Sequence, residues 1–197
     1  MIRSGTIKTL AALVGAMTVG AGLLILVETE PARPTIPLSL QAVKADRVGG
    51  ERAIVRNTEV PLQYIKWRNI VIHDAPRDDA AVARGCHFLI GDDHSQGRAA
   101  IQATPLWRRQ QDGDHIFVPG YSFNDNSIGV CLLRDCGREP PTAEQFVALV
   151  NLVQALQVTF QIPPDHVYLH SDLGEGDCPG RLFPHEALRA NLRRSAG

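Results

Sequence analysis

At 197 residues the chain has room for one ordinary domain of about 100–150 residues plus an appendage, and little for a second catalytic domain. Its 20 Lys and Arg against 21 Asp and Glu give a formal charge of -1, so no basic field invites nucleic acid and a polyanionic partner is not expected. Arg3 and Lys8 precede an uncharged stretch from Thr9 to Val27, nineteen residues built mainly from Leu, Ala, Val, Gly and Ile. As a helix it would measure about 28 Å at roughly 1.5 Å per residue, near the hydrocarbon thickness of a bilayer. It lacks the polar face of a core helix. Leu24 to Val27 run straight into Glu28 and Glu30 without a small-x-small cleavage site, so an uncleaved transmembrane signal anchor is expected over 9–27, behind a cytoplasmic stub over 1–8. The amino-side positive charges put that end in the cytoplasm and the rest of the chain on the periplasmic or extracytoplasmic side of the inner membrane.

Residues 28–60 carry Pro31, Pro34, Pro37 and the pair Gly49-Gly50 without sustained periodicity, and read as a tether with room for a short ordered piece. The folded domain is expected over 61–197. Short apolar runs read as strands at Asn69 to His73, His87 to Gly91, Ser127 to Leu133 and Val167 to His170. Thr142 followed by Gln145 forms a T-x-x-Q capping box. Phe146, Leu149, Val150, Val153, Leu156 and Phe160 then recur at helical spacing until Pro163. A second helix is expected from about Pro184, with Leu188 and Leu192 on its inner face. Strands interspersed with helices indicate an α/β or α+β domain.

The sharpest chemical signal is His170 and Cys178 flanking a seven-residue, mostly polar loop. Zinc takes imidazole and thiolate, and three protein ligands with a fourth open position make a catalytic site. His73, at the end of the strand Ile70-Val71-Ile72, is the best third ligand because a strand terminus aims a side chain rigidly. The other cysteines, 86, 131 and 136, stand on the export side, where disulfides persist. Their spacing does not decide between bridges and metal binding.

In order along the chain, Ile70-Val-Ile-His73, Cys86-His-Phe-Leu-Ile-Gly91, Ser127-Ile-Gly-Val130 and His170-x7-Cys178-Pro-Gly resemble the zinc amidase family shared by phage lysozyme-type amidases and peptidoglycan recognition proteins. Trp107 through His115 is similar to the tryptophan-to-histidine stretch of some bacterial members. The resemblance implies a mixed central β-sheet flanked by helices. It also implies Zn2+ on His73, His170 and Cys178, and hydrolysis of the amide between the lactyl group of N-acetylmuramic acid and L-alanine, with peptidoglycan or muropeptide as partner.

Departures from the family pattern accompany these matches. Cys86 stands where many members have a tyrosine that stabilises the transition state. Gly176 replaces a lysine or threonine, and Cys131 a carboxylate of some intracellular relatives. Only thirteen positions separate His73 from Cys86, which cuts down one groove wall. The resemblance also puts His115 near the site. Glu175 and Asp177 in the ligand loop are candidates to orient a histidine or act as base, and Asn126 is a candidate substrate contact. His87 is expected to pack or bond locally within its strand, and it cannot readily pair with adjacent Cys86 as nucleophile and base because neighbouring strand residues point to opposite faces. Besides the amidase, two other readings fit the residues: a muropeptide-binding module of the same fold, or a scaffold whose cysteines are structural.

Overall fold

The computed structural model describes residues 48–76, 85–93, 98–174 and 176–193, all within one unit of the chain, Leu38–Gly197. The expected anchor over 9–27 and the candidate Glu175 lie outside the described residues, among which no helix is long and apolar enough to cross a membrane.

Five strands form one mixed sheet in the order β3-β2-β4-β1-β5. β1 (Asn69–Ala75), β4 (Ser127–Leu133) and β5 (Val167–Leu169) are the strands expected from their apolar runs, as is β2 (Phe88–Asp93). β1 pairs in parallel with β4 on one side and β5 on the other. β3 (Arg98–Ala103) closes the far edge antiparallel to β2. The central strands are buried on both faces, as parallel sheets require, and one of those faces carries the polar side chains Asn69, His73 and Ser127.

Alternation divides the sheet's residues between two faces. Ile70, Ile72, Phe88, Ile90, Ile128, Val130 and Leu132 are fully buried. So are Phe146, Leu149, Leu152, Val153 and Leu156 of the long helix that covers the sheet. Each such side chain contributes roughly 1.5–3 kcal/mol of burial. That helix starts at the expected box: Thr142 Oγ1 accepts from Gln145 N at 3.2 Å and Gln145 Oε1 accepts from Thr142 N at 3.1 Å. It stops after Phe160, where Gln161 turns left-handed at φ 57.

In chain order the helices are α1 (Val48–Arg56), α2 (Pro105–Arg108), α3 (Ala143–Phe160), α4 (His170–Leu173) and α5 (His185–Asn191). α5 falls where a helix was expected from about Pro184. α1 falls within the stretch read as a tether and packs on the domain: Val55 is fully buried and its carbonyl accepts from Trp107 Nε1 at 3.1 Å. Asn151 of α3 donates to Glu51 of α1 at 3.4 Å.

Candidate metal centre and active site

The parallel pairing of β1 with β5 ends at Ile72 opposite Leu169. The next residues, His73 in β1 and His170 at the start of α4, come side by side, with ring centroids 4.9 Å apart. Cys178 returns to them through a closed loop in which Ser171 N donates to the Cys178 carbonyl at 2.7 Å. Ligand atoms of His73, His170 and Cys178 all lie within 4.8 Å of one another, and could hold one metal ion. His170 Nδ1 is buried and has no hydrogen-bond partner among the described residues, which an inward-facing metal ligand would explain.

Asp74, not singled out from the sequence, fastens this loop. Its backbone N–H donates to Cys178 Sγ at 3.4 Å, while its Oδ2 accepts from Cys136 N at 2.7 Å and Gly180 N at 3.3 Å. Gly180 has to be glycine, since a Cβ there would overlap the Cys136-Gly137 backbone. That accounts for the glycine of the Cys-Pro-Gly sequence in packing terms.

His115 comes to the site from the loop between α2 and β4. Its backbone N–H and that of Ile116 both donate to Asn124 Oδ1, at 3.2 and 3.1 Å. Its Nδ1 lies 3.1 Å from His73 Nε2, and its Nε2 3.4 Å from the Ser127 carbonyl. His87 packs in the interior as expected, but its ring bonds to a neighbouring strand and a loop, not locally within its own strand. Its Nδ1 accepts from Gly129 N at 2.9 Å and its Nε2 meets the Gln111 carbonyl at 3.0 Å. The side chain is fully buried.

Burial sets the charge states. It pushes His73 well below the ordinary imidazole value, with His115 and His170 adding to the effect. It takes His115 down to about 4 and His87 to about 3, and lowers His170 as well. The Cys178 thiol is pushed up to about 12, again mainly by burial. The metal-free site therefore holds neutral imidazoles and a protonated thiol near pH 7.

Of the other residues singled out from the sequence, Cys131 stands beside the ligand group, whereas Cys86, Asn126 and Asp177 are not part of it. Cys86 is fully buried in an apolar cluster with Ala75 and Cys131, against Leu89 and Leu133. Cys131 lies opposite His73 in the β1-β4 register. No disulfide links the four cysteines. Asn126 Oδ1 accepts from Asn69 Nδ2 at 2.8 Å. That is five strand positions before the His73 level, or roughly 16 Å at about 3.3 Å per residue. Asp177 is exposed.

The family model of N-acetylmuramoyl-L-alanine amidase matches residues 63–181, more than half of the chain, and spans all three candidate ligands. The chain belongs to the N-acetylmuramoyl-L-alanine amidase family. It is accordingly an amide hydrolase of that type. The amidase resembles the solved endolysin N-acetylmuramoyl-L-alanine amidase LysCS from Clostridium intestinale URNW, with 23% identity over 68% of this chain and 90% of that one and a TM-score of 0.51. A selenomethionine derivative of AmpD is similar at 18% identity, over 73% of this chain and 98% of that one, also with a TM-score of 0.51. Likeness at these identities establishes the fold. No curated protein matches the amidase in sequence.

Proposed function

We propose that the chain is a zinc-dependent amidase that cleaves the bond between N-acetylmuramic acid and L-alanine of peptidoglycan, held at the outer face of the bacterial inner membrane by its N-terminal segment. The observation that carries this reading is the convergence of His73, His170 and Cys178 within 4.8 Å. The donor set fits zinc: two neutral imidazoles and a thiol that yields a thiolate, with an orphaned His170 Nδ1 buried among them.

His73, His170 and Cys178 would hold the ion, and the Asp74 N–H would help keep the sulfur in its thiolate form by donating to it. Bound zinc supplies a Lewis acid that polarises an amide carbonyl and brings the pKa of water down toward about 7. No nucleophilic side chain is then required. Glu175, a carboxylate of the ligand loop, is the candidate to carry a proton from the attacking water to the leaving alanine amine.

Incubating the zinc-loaded full-length chain with muropeptides and resolving products by mass should reveal the L-alanyl peptide and the free lactyl carboxylate. His170→Ala and Cys178→Ala should lose both metal and product. A second reading, a muropeptide-binding module, draws support from position 86, where a cysteine buried in an apolar cluster stands in place of the family's tyrosine. Tight muropeptide binding by zinc-loaded protein without product would establish that reading instead. The membrane assignment rests on the uncharged stretch from Thr9 to Val27. Deleting residues 1–30 should move the protein from the membrane to the soluble fraction, and full-length protein found chiefly in the soluble fraction would overturn it.

A further inference from the structure

Two successive contacts join the Ser127 carbonyl to the His115 ring and the His115 ring to that of the candidate ligand His73. A carbonyl oxygen only accepts, so His115 Nε2, at 3.4 Å from it, carries the ring's hydrogen. A neutral imidazole has one N–H, which leaves His115 Nδ1 as an acceptor. That acceptor faces His73 Nε2 at 3.1 Å, so His73 is the donor and its remaining lone pair is on Nδ1.

We propose that Ser127 and His115 set the tautomer of His73, making Nδ1 the atom it offers to a metal; this rests on the zinc amidase reading above. The same nitrogen is the buried orphan on His170, so the two rings present matching atoms. His115 is a positioning residue that acts through His73. It stands outside the group whose ligand atoms converge, and both of its ring nitrogens are engaged.

The ring of His115 has a built seat. A Cβ on Gly129 would come within 2.8 Å of it and a Cβ on Gly113 within 2.7 Å, so two glycines let the ring lie flush against backbone. His87 buttresses the seat from the side, edge-on to His115 at 5.8 Å, and its own two nitrogens are fixed by Gly129 N–H and the Gln111 carbonyl. A hydrogen-bonded partner of this kind orients a ligand histidine and raises its basicity, and losing one typically reduces metal affinity about 10–100-fold.

The test uses the full-length chain labelled with 15N-histidine. Long-range proton-nitrogen spectra of the metal-free protein at neutral pH should show His73 and His115 both protonated on Nε2. Because this measurement needs neither zinc uptake nor turnover, it stands apart from the amidase reading: a protein with these tautomers that binds no zinc refutes that reading and leaves the relay intact. In zinc titrations His115→Ala should lose about 10–100-fold in affinity. His115→Gln should recover most of it, since its amide can accept from His73 and donate to Ser127. Gly129→Ala, which pushes the ring off its seat, should weaken zinc binding like His115→Ala. The proposal is overturned by a His73 protonated on Nδ1 in the metal-free protein, by a zinc-loaded spectrum in which His115 Nδ1 is itself a ligand, or by wild-type zinc affinity in folded His115→Ala. If His115→Ala does not fold, the wild-type tautomers decide.

Discussion

The backbone N–H of Asp74 donates to Cys178 Sγ across 104 positions of sequence, so the residue that follows one candidate ligand grips another. The Asp74 carboxylate completes the grip through Cys136 N and Gly180 N. Asp74→Ala leaves those two donors without their acceptor and should lower unfolding stability by about 1–3 kcal/mol. It should also loosen the Cys178 loop and weaken zinc binding by about 10-fold or more. Asp74→Asn keeps an acceptor oxygen and should fall between. Urea unfolding and zinc titration check both figures, and wild-type values for Asp74→Ala would mean that other contacts hold the loop.

Proton release should accompany metal uptake with a simple stoichiometry. His73 and His170 are already neutral near pH 7 because burial lowers both, whereas Cys178 holds its proton up to about 12. Zinc takes the thiolate, so binding must displace that one proton. Between pH 6.5 and 8 the logarithm of zinc affinity should rise by about one per pH unit. Calorimetry in buffers of different ionisation enthalpy should count about one proton per zinc, and a count near three would show that the imidazoles begin charged.

Much of this site is legible in the sequence because each ligand sits where short-range rules apply. His73 and His170 terminate apolar runs that can only be buried strands, and Cys178 closes a short loop from His170. The box at Thr142 and the stripe behind it are equally local, and the helix runs as expected. What is not legible depends on distant partners. β3 has only Ile101 and small or polar neighbours, because an edge strand buries little. α1 contains Gly49-Gly50 and becomes a helix through the contacts of Val55 and Glu51 with Trp107 and Asn151. His87 looks like any strand residue, yet it joins Gly129 to Gln111, and only the assembled sheet brings those groups together.

Acid should destabilise the metal-free protein, with His87 as one identifiable source. Its folded value lies near 3 against an ordinary 6.5, so as pH falls the unfolded chain takes up the proton first. Stability from this group is whole above about 6.5 and is lost between there and about 3, at about 1.4 kcal/mol per pH unit. His87→Gln can still accept from Gly129 N–H and donate to the Gln111 carbonyl without titrating. Denaturant unfolding from pH 7 to 5 should therefore be less steep for the variant by about one proton, and equal slopes would refute this assignment.

Cys86 occupies the position where the resemblance expects a tyrosine, and its surroundings decide what restoring that tyrosine would do. Its side chain is fully buried against Ala75, Cys131, Leu89 and Leu133. Its carbonyl accepts from Thr104 Oγ1 at 2.9 Å. The residue before it, Gly85, lies so close to Asp114 that a Cβ would overlap the Asp114 carbonyl, so the segment has no freedom to shift that way. A phenol at 86 must force this cluster apart, and overpacking of that kind typically destabilises by about 1–3 kcal/mol. A donor well placed on a developing oxyanion is worth about 10²–10³ in rate, but a group about 1 Å out of position forfeits much of it. Overpacking therefore dominates. Cys86→Tyr should lower the midpoint of thermal unfolding, leave zinc affinity within about 3-fold of wild type because Cys86 lies outside the ligand group, and raise kcat by less than about 10-fold. Cys86→Ala should fold normally and bind zinc as wild type does. A Cys86→Tyr protein as stable as wild type with kcat raised about 100-fold would show that the side chain at 86 can turn out of the cluster toward the substrate.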